Sequence, residues 1–118
     1  SDGMDEATVT GETRVSELNR GLINTYNIDP VDIFGQTYDI KELKGGSPAY
    51  NAEITRRILS GGDGACRKIV LLNSALAIMA GEKAATIGEG VSLAEECIDS
   101  GTALGKLDAL IEATNCSR

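Results

Sequence analysis

The stretch IVLLNSALAIMAG, which ends at Gly81, constrains the fold of this chain more than any other. It has a helix's length and is apolar on nearly every side. Such a helix belongs inside a protein, not on its surface. It is also too short for a membrane span, which needs about 20 apolar residues. It is therefore expected at the centre of a helical core, capped by Asp63 and ended by Gly81. Aromatic residues make up only 3% of the chain, with no Trp and one Phe, so that core has to be aliphatic. A hydrophobic share of 42% excludes disorder by composition. With 118 residues the chain suits one domain or a piece of a larger one.

Asn73 interrupts the apolar run. It could face a ligand, but a hydrogen-bonded tie to the backbone of a buried loop is the expected role. On either side of it the helical signals are regular. Ser47 and Pro48 suit an N-cap and a first helical position, and Ala49, Ile54, Ile58 and Leu59 then mark an amphipathic helix ending at Gly61-Gly62. Thr86 and Glu89 have capping-box spacing before a helix that should bury Val91, Ala94 and Ile98. Leu104, Leu107, Leu110 and Ile111 mark a last amphipathic helix after Ser100-Gly101.

The first third reads differently. Thr8 to Thr10 is a short β-favouring run, and Thr13–Leu18 and Leu22–Ile28 flank Asn19-Arg20-Gly21 as a hairpin. Asp29-Pro30 breaks the strand and opens one turn of helix or a tight loop, and DIKEL is a possible turn. The expected class is α+β: a β-hairpin or edge strands followed by about four helices. One unit is expected over residues 1–118, with strands and connector over 1–46 and a helical layer over 47–114.

Little in this chain can do chemistry. There are 11 basic and 18 acidic residues, a net charge of −7, which argues against nucleic acid and against anionic membrane surfaces. It leaves room for cations, including a metal that brings a phosphate with it. Histidine is absent, which removes the commonest general base and zinc ligand. Cys66, Cys97 and Cys116 are far apart and form no CxxC pair, so free thiols in a reducing cytoplasm are expected. Gly45-Gly46 and Gly61-Gly62-Asp63-Gly64 precede helices but lack the spacing of phosphate loops, and helix stops and starts explain both. Arg56-Arg57 and Arg67-Lys68 read as solvated helix faces.

Asp5 and Glu6 remain, side by side before Thr8. Magnesium takes one or two carboxylates together with water and substrate phosphates, and such a pair meets that need. On spacing alone, a solvated acidic start explains the pair better.

Read together, DGMDE, TVTGETRVSEL, the DP break, the GG before NAEITRRILSG, and IVLLNSALAIMAG followed by GEGVSLAEECIDSGTALGKLDALI resemble the carboxyl-terminal part of the anthranilate phosphoribosyltransferase family. The resemblance covers nearly the whole chain and rests on several motifs in order. It implies a place in a larger α/β domain of the nucleoside phosphorylase/phosphoribosyltransferase type. It implies transfer of a phosphoribosyl group from phosphoribosyl pyrophosphate to anthranilate, on the way to tryptophan, with magnesium. Asp5 and Glu6 would be the metal ligands, with Asp2 and Gly3 shaping the loop. The resemblance also implies a homodimeric parent. The family's GTGGD and Lys-His-Gly-Asn stretches are absent, so an amino-terminal part is expected upstream of Ser1, and the chain by itself is expected to be inactive. An apolar patch is expected where that part docks. The alternatives are a non-catalytic relative that binds nucleic acid and an interaction module without an active site.

Overall fold

The computed structural model describes residues 3–115; Ser1, Asp2 and Cys116 to Arg118 lie outside the described residues. Two strands, β1 (Thr13–Asn19) and β2 (Leu22–Ile28), pair antiparallel with Val15 opposite Tyr26 and Leu18 opposite Ile23. Arg20 and Gly21 close the hairpin, both at positive φ (50° and 81°), as a two-residue turn matched to strand twist requires. Asn19 therefore belongs to the strand and pairs with Leu22.

Five helices follow: α1 (Pro30–Phe34), α2 (Pro48–Leu59), α3 (Ala65–Ala80), α4 (Ile87–Asp99) and α5 (Thr102–Asn115), with a 3-10 turn at Ile40–Leu43. The cap chemistry is local and legible. Asp29 accepts from the Val31 N–H before Pro30, Asp39 from Lys41, and Ser47 from Tyr50 before Pro48. The Glu89 N–H donates to Thr86 Oγ1 at 3.2 Å, as the capping spacing requires. Its reciprocal bond is displaced by one residue, since Glu89 Oε2 accepts from the Ala85 N–H at 2.8 Å.

The helix α3 lies between two apolar clusters. Leu72 packs with Ala7, Val9 and Ile28, joined by Val15 and Tyr26 of the hairpin. One residue earlier, Leu71 packs with Ile58 of α2 and Ala94 and Ile98 of α4. A helix that must bury opposite sides needs apolar residues all round, which is what its sequence supplies. The approach of α3 to α4 is close. A Cβ on the buried Gly90 would stand 2.9 Å from both the Cβ and the carbonyl oxygen of Ala75.

Several expectations are corrected. Asp63 is not the N-cap of α3: Gly64 is, and no side chain caps that end. The Asp63 carboxylate instead takes a hydrogen bond from the Gly64 backbone, which with Lys68 nearby holds it below the usual carboxylate range. Thr8 to Thr10 form no strand. Their backbone groups go elsewhere: Thr8 N–H donates to Thr13 Oγ1 (3.0 Å), Thr10 N–H to Thr8 Oγ1 (3.1 Å), and Val9 C=O accepts from Tyr38 N–H (3.0 Å). Ala49 on α2 is exposed, as are Leu110 and Ile111 on α5. Arg67 is no surface residue. It is 7% exposed and its Nη2 pairs with Asp99 Oδ1 at 2.8 Å. Lys68 lies over the Phe34 ring, 5.6 Å from its centre.

Candidate functional site

Three consecutive residues set up the site by diving into the core. Ala7, Thr8 and Val9 are all buried, while Asp5 and Glu6 just before them are exposed. Val9 and Ala7 enter the cluster around Leu72, so apolar packing fixes where the acids leave the protein body. Gly3 sits at φ 86° at the start of the described segment. Asp2 lies outside the described residues.

A second anchor comes from α3. The Ala7 N–H donates to Asn73 Oδ1 at 3.0 Å, and Asn73 Nδ2 donates to the carbonyls of Ala7 (2.8 Å) and Ile69 (2.9 Å). The expected role for Asn73, a tie between the apolar helix and a loop backbone, is what the geometry shows.

Among the described residues, neither Asp5 nor Glu6 makes a hydrogen bond or an ion pair. Their oxygen lone pairs are open to a hard cation. The same residues contain no cluster of three or more Cys, Asp or Glu able to hold a metal by themselves. From the described residues a cation here would take the two carboxylates of Asp5 and Glu6 and complete its shell with other oxygens, such as water or phosphate.

Two grooves lie away from the acids. One, of about 600 Å³, runs between Phe34, Lys68 and Val91; the other, of about 1040 Å³, runs between the hairpin and the loop after α3. Asp5 and Glu6 line neither. In the second groove, burial and the Glu17 carboxylate at 3.4 Å raise the Tyr26 phenol above its usual value. Elsewhere Arg67 pairs with Asp99 at 2.8 Å and Arg56 with Asp108 at 3.3 Å, and Cys66 donates to the Glu42 carbonyl at 3.3 Å, which leaves its thiol in a structural contact. No helix among the described residues is long and apolar enough to cross a membrane.

Residues 1–104 match the model described as glycosyl transferase family, a/b domain. The chain belongs to this family. Within the glycosyl transferase family, it is 50% identical over 110 residues to an anthranilate phosphoribosyltransferase of Methanocorpusculum labreanum, covering 93% of this chain and 32% of that relative. It is 49% identical over 115 residues to the enzyme of that name from Parvibaculum lavamentivorans, covering 98% of this chain and 34% of that relative. Among solved structures, it superposes on the Thermus thermophilus anthranilate phosphoribosyltransferase with a TM-score of 0.81 at 34% identity, over 92% of this chain and 32% of the other. The Saccharomyces cerevisiae enzyme in complex with 4-fluoroanthranilate gives 0.83 at 28% identity, over 97% and 34%. The chain thus spans about a third of the length of the relatives it matches. The expected fold class holds: an antiparallel hairpin followed by helices, in a glycosyl transferase a/b domain.

Proposed function

We propose that this chain is the part of an anthranilate phosphoribosyltransferase that presents its metal-holding acids, and that the activity belongs to a longer protein containing it. The observation that carries this reading is near-half identity to enzymes of that name along 93–98% of the chain. The substrates would be phosphoribosyl pyrophosphate and anthranilate, and the product would feed tryptophan synthesis. The non-catalytic, nucleic-acid-binding alternative has no support in a chain of net charge −7. A homodimeric parent in the cytoplasm belongs to the same proposal.

Asp5 and Glu6 fit magnesium. They are adjacent, exposed, without protein partners among the described residues, and they carry the hard oxygens that magnesium prefers. When bound there, magnesium supplies charge neutralisation on the departing pyrophosphate. The chain's own share is to hold the two carboxylates at a fixed place on the protein surface. The buried run Ala7–Val9 prevents them from drifting with a loose segment. No histidine is needed, because the step is positioning and charge stabilisation more than proton transfer. By itself the chain is expected to turn nothing over, since the residues that cradle the phosphates and anthranilate would lie in the rest of the protein.

The test is steady-state kinetics of the full-length enzyme containing this chain, with Asp5→Asn and Glu6→Gln together. Turnover should fall roughly 10²–10³-fold, the scale of losing a strong electrostatic contact. The magnesium dependence should move to higher concentration. Stability should change by no more than about 0.5 kcal/mol, because both side chains are exposed. Wild-type turnover with an unchanged magnesium profile would make the pair a solvated surface feature and sink the metal reading.

A further inference from the structure

Asn73 is an odd residue for its helix. It sits in α3 one residue after the fully buried Leu72 and two before the fully buried Ala75, where a Leu would favour the helix more and would need no hydrogen bonds. Yet its amide is well used. Both its donor and acceptor sides are engaged, and two of its three hydrogen bonds go to one residue, Ala7, 66 positions earlier in the chain.

Those two bonds grip both peptide groups that flank Ala7. The N–H at Ala7 belongs to the peptide plane that begins with the Glu6 carbonyl. Holding it at 3.0 Å fixes the orientation of the Glu6–Ala7 peptide and with it the backbone angle that aims Glu6. The Ala7 carbonyl, held at 2.8 Å, fixes the next plane. The third bond, to the Ile69 carbonyl one helical turn back, locks the Asn73 side chain itself. The amide thus links a rigid buried helix to the peptide directly behind the acidic pair.

We infer that Asn73 is a positioning residue for the metal-holding carboxylates, acting through the Glu6–Ala7 peptide and touching neither metal nor substrate. This rests on the magnesium reading of Asp5 and Glu6 given above. The apolar packing of Ala7 and Val9 sets where the loop enters the core; Asn73 sets the direction in which the loop leaves it. Removing groups that orient metal ligands from behind typically weakens metal binding by about 10–100-fold.

The experiment uses the full-length enzyme containing this chain, labelled for amide NMR. Manganese with inorganic pyrophosphate serves as the probe, because paramagnetic broadening reports weak binding at low occupancy. Four proteins are compared: the wild type, Asn73→Ala, Asn73→Leu, and Asp5→Asn with Glu6→Gln. Asn73→Leu keeps the volume and favours the helix, so one of the two Asn73 variants should fold even if the other does not. In the wild type, manganese should broaden the amides around Asp5 to Thr8, and the Ala7 amide should exchange slowly. In the Asn73 variants the manganese concentration for half-broadening should rise about tenfold or more. Ala7 exchange should speed up, while exchange at Val91 and Ile98 in α4 stays as it was, which separates loss of aim from loss of structure. Wild-type manganese affinity in a folded Asn73 variant would overturn the inference alone and leave the acidic pair standing. Equal broadening in the wild type and the doubly amidated enzyme, or none in either, would overturn the metal reading and the inference with it.

Discussion

Leu71 and Leu22 are the same residue in regular, ordered elements, yet the first is 0% exposed and the second 76%. Leu71 lies in α3, where α2 and α4 close over it. Leu22 lies at the tip of the hairpin, with Leu18 and Ile23 beside it at 72% and 75%. The two regions meet the demand for burial differently. The helices satisfy one another within the chain. The hairpin does so only at its base, where Ile28, Val15 and Tyr26 join the cluster around Leu72. Beyond that base it projects as two strands with an apolar end in water. An isolated two-stranded ribbon is marginal in water, so the hairpin's order must come from its anchored end. Among the described residues its sheet gains no third strand.

The contrast predicts unequal sensitivity. The largest effect should come from Leu71→Ala, which deletes apolar atoms where α2, α3 and α4 meet. A fully buried Leu to Ala change costs about 2–5 kcal/mol, and urea unfolding of the chain would read it directly. A loss below about 1 kcal/mol would mean that the helices yield easily and that the contrast with the hairpin is weak. Next comes Gly90→Val. Its Cβ would meet the Ala75 carbonyl oxygen and Cβ at 2.9 Å, and neither is the far end of a flexible side chain. α3 and α4 must separate, at about 1–3 kcal/mol for such overpacking, and the loss should appear in the same urea midpoint. Thr86→Ala should be milder, about 1 kcal/mol, since it removes one cap bond from an exposed helix start and leaves the α3–α4 contact intact. A drop in thermal midpoint larger than that of Gly90→Val would show that the start of α4, more than its packing, limits stability.

How much of this was legible depended on how far each residue's partners lie along the chain. The apolar run of α3 announced a central helix because the signal sits in the run itself. Asp29, Ser47 and Thr86 announced helix starts because a cap and its donor are two or three residues apart. Arg67 was misread as a solvated residue because its partner Asp99 is 32 positions away. Thr8 to Thr10 looked like strand by residue type, but Thr13 and Tyr38 take the backbone groups that a ladder would need. The Asp63 cap failed by one residue, with Gly64 at φ 118° taking the cap position. Asp5 and Glu6 could not be told from a solvated start by spacing, since nothing local marks two acids as held in place. What holds them, the burial of Ala7–Val9 and the Asn73 bonds, forms only when the helix and the first residues come together.

The smallest expected effect tests the hairpin side. Replacing Leu18, Leu22 and Ile23 together by Thr removes the apolar tip while keeping a residue type that strands favour. Leu18 and Ile23 face each other across the strands, so the change also keeps a cross-strand pair at that position. If the tip stands in water, little burial is lost, and each substitution should stay within about 0.5 kcal/mol. The urea midpoint of the dilute triple variant should therefore lie close to that of the wild type. At high concentration the two should part, because an exposed apolar cluster favours self-association and the Thr variant lacks it. Sedimentation of both proteins over a range of concentrations would read that difference. A triple variant as destabilised as Leu71→Ala at low concentration would break the comparison, for it would mean that the tip is buried against something in solution. A wild-type midpoint that rises with protein concentration would identify that cover as another copy of the chain, since a dimer's stability follows mass action.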